Sequence, residues 1–294
     1  MTSDLKDWYH QGSYFKHREH RIFYRMNGEG ETLLLVHGFP TASWDWHKIY
    51  DDLCEKFRVL APDMIGFGFS AKPKKYLYSI HDQADLLETL LELEGVERVH
   101  LLCHDYGNSV GQELLARFVE RSERDSTPYQ IMSICFLNGG LFPESHKPRL
   151  IQKLLLSPIG PLLNPFLTKA KLRSNLRAVF GKDTPPTETE VDEFYDLIDY
   201  NNGRAVMNKL IRYMTDRKEH RERWVRPLVK PPVPVRLIDG WQDPVSGKHL
   251  VDRYKQMVEA PDVVDLEDIG HYPQTEAPDR VLEHFMSFQN SLSS

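Results

Sequence analysis

The 294-residue chain predicts an α/β fold: a mainly parallel central sheet flanked by helices, with an inserted helical cap. Two observations carry this reading. Short β-type runs alternate with helical runs from Tyr14 to about Gly140, and strand signals vanish between about Leu141 and Lys230 before the alternation resumes. In chain order, "SYFKHREHRIFYRM" reads as an early hairpin. "TLLLVH", "FRVLAPD", "RVHLLCHD" and "IMSICFLN" then read as buried strands, separated by the helical stretches "SWDWHKIYDDLCE", "IHDQADLLETLLELEG" and "NSVGQELLARFVERS". Prolines break the helices of the middle segment, as in "LLLSPIGPLLNPF". "VPVRLIDG" and "DVVDLED" restore the strands around "SGKHLVDRYKQMVE", and the amphipathic "PDRVLEHFMSFQNSL" closes the chain. The expected division is therefore residues 1–140, first part of the core; 141–230, helical cap insertion; and 231–294, second part of the core.

Composition narrows the setting. With 40% hydrophobic and 27% charged residues the chain can bury a large core, and disorder is not expected. Its 37 basic and 43 acidic side chains give no electrostatic case for nucleic acid as a partner. Cys54, Cys103 and Cys135 are far apart, form no CxxC pair, and read as structural thiols of a reducing compartment. The polar start "MTSDLKDWYHQG" lacks a signal-peptide core, and no apolar run approaches the roughly 20 residues of a bilayer span. The expected location is cytoplasmic. Interrupting prolines, Gln152 and Lys153 make "LIQKLLLSPIGPLLNPFL" substrate-pocket or lid helices rather than a span. The basic run "DRKEHRERWVR", near residues 216 to 226, reads as a solvated helix face.

The chemistry concentrates in "LLCHDYGNSVG", which puts a carboxylate where a buried strand hands over to a helix. A charge there loses water unless something compensates it. Cys103, His104, Asp105, Tyr106 and Gly107 form a small-x-nucleophile-x-small elbow, whose sharp turn lifts the central side chain above the sheet edge at a helix N-terminus. Asp105 would equally serve as a helix N-cap. Two further stretches favour the elbow: "GWQDPVSG" puts Asp243 directly after a strand, and "EDIGHYPQTEAPDR" puts His271 in the loop after the next one. Nucleophile, acid, histidine is the chain order of an α/β-hydrolase triad, and loops at the carboxyl ends of parallel strands converge on one crevice. Upstream, His37, Gly38, Phe39 and Pro40 follow a strand on a tight path. The backbone N–H of Phe39 would there join that of Tyr106 as an oxyanion hole.

The stretches "HGFPT", "PDMIGFGFSAKP", "HDYG", "GWQDP" and "GHYPQTEAP" resemble the α/β-hydrolase superfamily, in its aspartate-nucleophile branch of epoxide hydrolases and haloalkane dehalogenases. "LNGGLFPESHKPRLIQKLL" and "HGFPTASWDWHKIY" are similar to the mesoderm-specific transcript protein group, over nearly the whole chain from about Tyr14. The resemblance implies Asp105 as nucleophile, His271 as base and Asp243 as its orienting acid, with Phe39 and Tyr106 as the hole. An alkyl ester on Asp105 would be hydrolysed by water that His271 activates, with no metal or cofactor and on a small, mostly apolar substrate. Departures from the branch bear on the leaving group. Tyr106 and Phe39 stand where dehalogenases generally carry halide-binding donors, and no arginine follows the nucleophile through Gly107, Asn108 and Ser109. In "NKLIRYM" Ile211 replaces the tyrosine that epoxide hydrolases use as acid, leaving Tyr195, Tyr200 and Tyr213 as candidate cap acids. The expected activity is epoxide hydrolase-like. The alternatives are a haloalkane dehalogenase-like hydrolase, an ester hydrolase, and a binding protein on the same scaffold.

Overall fold

The computed structural model describes residues 1–124 and 126–292. Eight strands form one sheet: β1 (Ser13–His17), β2 (His20–Asn27), β3 (Thr32–Val36), β4 (Arg58–Pro62), β5 (Arg98–Cys103), β6 (Gln130–Phe136), β7 (Val235–Gly240) and β8 (Asp262–Leu266). Their order is β1-β2-β4-β3-β5-β6-β7-β8. The β1–β2 and β2–β4 pairings are antiparallel and all the others parallel. The hairpin and each strand expected from the sequence form, because successive side chains alternate between two apolar layers. Leu34, Val36, Leu101 and Phe136 pack on one face of the sheet, and Leu33, Leu35, Leu102 and Leu137 on the other.

Helices cover both faces. Ile80–Leu93 and Tyr106–Ser122 bury their apolar stripes in the first layer, and the closing helix Pro278–Leu292 buries Val281, Phe285 and Phe288 in the second. Ser79 caps the first of these helices, its hydroxyl accepting the Asp82 N–H at 3.1 Å. Between β6 and β7 the structure contains helices and turns but no strand among the described residues. That connection includes Leu150–Leu156, Lys169–Arg177, Glu188–Asp199, Tyr213–Glu219 and Arg221–Val229. No helix among the described residues is long and apolar enough to cross a membrane.

Two elements differ from the sequence expectation. Ser3–His10 is a helix, capped by Thr2 and holding Leu5 and Trp8 against the sheet, with the Arg25 guanidinium 4.3 Å from the Trp8 ring. Two apolar positions in eight residues were too few to announce it. The stretch "SWDWHKIYDDLCE" is not one helix but a 3₁₀ turn, Ser43–Trp46, followed by the short helix Tyr50–Cys54. The reason is that Ser43, Trp44, Asp45 and Trp46 are all buried, so consecutive side chains face inward and no amphipathic period survives.

Leu101 lies wholly buried at the centre of β5, directly behind the elbow. Leu101→Ala is expected to lower stability by about 2–5 kcal/mol, read from the midpoint of urea unfolding at unchanged slope.

Candidate active site

The β5-to-helix turn is forced tight by its neighbours. A Cβ on Gly107 would stand 2.1 Å from the Val36 carbonyl oxygen, and one on Gly139 would stand 2.6 Å from the Asp105 Cα. Between them Asp105 takes φ 45° and ψ −101°, a sparsely populated conformation that costs on the order of 1–3 kcal/mol and is held by its surroundings. Its N–H donates to the Asn138 carbonyl at 2.8 Å. The side chain makes no capping bond to the helix that follows. Instead Asp105 Oδ2 accepts the Phe39 N–H at 3.0 Å, while Oδ1 lies 3.9 Å from His271 Nε2 and 4.0 Å from Arg217 Nη2. Tyr106 opens the helix, so its N–H is one of the first-turn donors with no carbonyl a turn behind it.

The turn presenting Phe39 is braced from behind. Asp45 Oδ2 accepts the Thr41 hydroxyl at 2.6 Å and the Gly38 N–H at 3.4 Å. His37 Nε2 accepts the Met64 N–H at 3.0 Å, which leaves Nδ1–H to donate to the Gly38 carbonyl at 2.9 Å. Across the crevice, Asp243 Oδ2 receives His271 Nδ1–H at 2.7 Å, the Ser246 hydroxyl at 2.6 Å and the Ser246 N–H at 3.0 Å. Oδ1 takes the Val245 N–H at 2.7 Å. The carboxylate is thus fully bonded although buried. The structure brings Phe39, Asp105, Asp243 and His271 together at the carboxyl ends of the parallel strands.

A family model described as the alpha/beta hydrolase family matches residues 33–284, spanning the elbow, the acid and the histidine. The chain belongs to the alpha/beta hydrolase family. The hydrolase is 40% identical over 304 aligned residues to the mesoderm-specific transcript protein of Mus musculus, covering 99% of this chain and 89% of that one. Its fold matches the epoxide hydrolase CorEH without ligand, with a TM-score of 0.76 at 20% identity over 96% of this chain and 99% of that one. It also matches the haloalkane dehalogenase DbeA-M1 loop variant from Bradyrhizobium elkanii, with a TM-score of 0.79 at 19% identity over 96% of this chain and 97% of that one.

A cavity partly open to solvent lies over Asp105 and His271 of this hydrolase. Its walls include Ile151, Leu155, Leu172, Leu176, Ile198 and Met207 from the helical connection. The candidate cap acids fall in different places. Tyr195 lines the cavity. Tyr200 lies outside that lining, packed on Phe69 at 5.1 Å with the Lys72 ammonium 5.3 Å from its ring. Tyr213 is also outside that lining and buried, its ring 5.0 Å from that of Tyr106 and 6.0 Å from that of Phe39, with the Arg217 guanidinium 4.5 Å from it.

Several residues that hold the site were not singled out from sequence. Arg217 is the first, and it corrects the reading of its basic run as a solvated face: only 2% exposed, it donates from Nε to Ser109 Oγ at 2.6 Å and from Nη2 to the Asp105 carbonyl at 3.0 Å. Asn138 bonds both backbone groups of Gly240, accepting its N–H at 2.7 Å and donating to its carbonyl at 2.9 Å, so the elbow and the acid loop share one brace. His104 Nε2–H donates to the His271 carbonyl at 2.7 Å. Glu276 takes the N–H groups of Gly270 and Tyr272 at 2.9 Å each and that of Gly181, in the helical connection, at 2.7 Å. A polar residue closing an apolar strand, as in "FLNGG", was the available signal for Asn138; the others depend on folding. The cysteines are free, and burial pushes the Cys103 and Cys135 thiols up, away from reactivity.

Burial alone would lower the His271 pKa, but the Asp243 charge and hydrogen bond, with Asp105 behind them, raise it to about 9. Burial would raise Asp243, and His271 and Ser246 hold it down at about 2 instead. The two shifts describe one ion pair. Its stabilising effect is complete between about pH 4 and 6.5, fades as pH rises through about 9 when His271 deprotonates, and fades as pH falls through about 2 when Asp243 protonates. Asp243→Asn removes the largest opponent of burial and leaves Asp105 and Glu276 alone to oppose it, so the His271 imidazole, followed by NMR titration, is expected to titrate well below 9. A value still near 9 would mean that Asp243 is not the source of the shift.

Proposed function

We propose that this hydrolase opens small, mostly apolar epoxides through a covalent ester on Asp105. The observation that carries the reading is the Asp105 carboxylate itself: held in a strained turn, unused as a helix cap, and facing a largely apolar cavity with His271 Nε2 3.9 Å away. An Asp105 oxygen attacks an epoxide carbon, the C–O bond of the ring breaks, and the alkoxide takes a proton to become an alcohol. Tyr195, which lines the cavity, supplies that proton. Walls formed by the helical connection act as the cap that keeps bulk water from this step.

Alkylation neutralises Asp105 and so removes one of the charges that raise His271. The imidazole becomes easier to deprotonate as the ester forms, when a base is needed. It then takes a proton from water, whose oxygen attacks the ester carbonyl carbon, and the N–H groups of Phe39 and Tyr106 receive the resulting oxyanion. Collapse breaks the bond between that carbon and the alkyl oxygen, the imidazolium returns its proton to the departing alkoxide so that the diol leaves, and the proton remaining on the Asp105 carboxyl goes back to Tyr195. Asp243 keeps the imidazole in the tautomer with Nε2 toward the cavity, bonded at Nδ1 over 2.7 Å.

His271→Gln is expected to stop the second half only. A screen of epoxides, haloalkanes and p-nitrophenyl esters identifies a reactive compound. Turnover of that compound by the variant should fall at least about a hundredfold while an adduct of the alkyl mass accumulates on the peptide containing Asp105. In heavy-oxygen water the wild-type carboxylate should gain label over repeated turnovers. Active enzyme with an unlabelled, unmodified Asp105 sinks the mechanism, and haloalkane turnover without epoxide turnover moves the activity to dehalogenation. Tyr195→Phe should slow epoxide opening about a hundredfold and leave the decay of a preformed ester unchanged; the same loss in Tyr213→Phe but not in Tyr195→Phe would transfer the acid role.

A further inference from the structure

The helical connection carries a surface that the chemistry above does not use. Residues 145–182 hold eight Lys and Arg and no Asp or Glu, within a chain whose net charge is −6. The same segment exposes Leu150, Leu156, Ile159, Leu162 and Phe166, with Leu162 at 71% and Phe166 at 61%. Elsewhere large apolar side chains are mostly buried in the two layers around the sheet. Three of the cations are matched by acids: Lys169 by Asp192, and Arg173 and Arg177 by Glu188. Lys147, Arg149, Lys153 and Lys171 have no ion-pair partner among the described residues; Arg149 reaches only the Asn175 carbonyl, at 3.4 Å.

The geometry points to a peripheral docking surface for an anionic lipid bilayer, with residues 150–166 lying in the headgroup region and the cavity mouth turned toward the membrane. Exposed leucines and a phenylalanine flanked by unmatched cations are what an interfacial helix needs, and the prolines that prevent a span do not prevent lying in the plane. Charge complementarity selects the occupant. A second copy docked through the same face would set two acid-free, cationic segments against each other. An anionic membrane supplies the missing carboxylates and phosphates instead. The surface is continuous with the cavity, because Arg149, Ile151, Gln152, Leu155, Leu167 and Lys171 line it. An apolar ligand would pass from the acyl region to Asp105 without crossing water.

Sedimentation with vesicles tests this independently of the chemistry at Asp105. The full chain is expected to pellet with vesicles of phosphatidylcholine containing about one-third phosphatidylserine, and at least about tenfold less with phosphatidylcholine alone or at high salt. Leu162→Ser with Phe166→Ser removes exposed side chains outside the cavity lining, so the double variant should keep its far-ultraviolet circular dichroism spectrum and lose vesicle binding about tenfold. A wild-type protein that stays in the supernatant overturns the inference, as does a folded variant that pellets equally well. A dimer in light scattering that the same variant dissolves, with no vesicle binding, assigns the face to a second copy and also overturns it.

Discussion

A carboxylate at the crowded end of β5 keeps its charge only if the protein replaces the water it has lost, and the surroundings of Asp105 are arranged around that requirement. The Phe39 N–H bonds one oxygen at 3.0 Å, and the Arg217 guanidinium stands 4.0 Å from the other. The start of the Tyr106–Ser122 helix adds its partial positive charge. Arg217 bonds the Asp105 carbonyl and Ser109 rather than the carboxylate, so it compensates the charge without tying up the oxygen that faces the cavity. With Asp243 and His271 forming the second pair, two anions and two cations share the site when His271 is protonated, and it is close to neutral overall. Burying four separate ions would be prohibitive; burying two compensated pairs is not.

Neutrality demands position, and position comes from few residues. Asn138 ends the apolar run of β6 and joins three strand ends: its carbonyl accepts the Asp105 N–H, its amide holds Gly240, and Nδ2 lies 3.3 Å from Asp243 Oδ2. A displaced Asn138 would therefore disturb Asp105 and Asp243 together. His104 does the same between elbow and histidine loop, since the residue beside Asp105 in sequence grips the backbone of His271.

The framework was legible because strands buried on both faces leave long apolar runs, and because Asp105 stands directly after such a run while Asp243 and His271 fall in the loops that follow the next two strands. Phe39 could be placed from the turn chemistry of "HGFP". Arg217 was not legible in the same way. It sits in a charged run that resembles a solvent-facing helix, and only tertiary packing turns one of its arginines inward by 108 residues of sequence toward Ser109. The three tyrosines show the same limit: the family resemblance offered all of them as candidate acids, whereas packing sent Tyr195 to the cavity wall, Tyr213 between Tyr106 and Arg217, and Tyr200 against Phe69. The N-terminal helix escaped notice because Leu5 and Trp8 make its burial without making a pattern.

The grip of Glu276 has a bearing on how such hydrolases diversify. Glu276 closes on Gly270, Tyr272 and Gly181 at once, and the Val179 carbonyl accepts the His271 N–H at 2.9 Å. A Cβ on Gly270 would stand 2.4 Å from Gly181 N and from the Val179 carbonyl oxygen, so the two segments fit only as a matched set. The helical connection between β6 and β7 is therefore not freely interchangeable. Exchanging it between homologues, by recombination or by design, carries a seam at residues 179–184 that must travel with residues 270–276, or the histidine loop loses its frame.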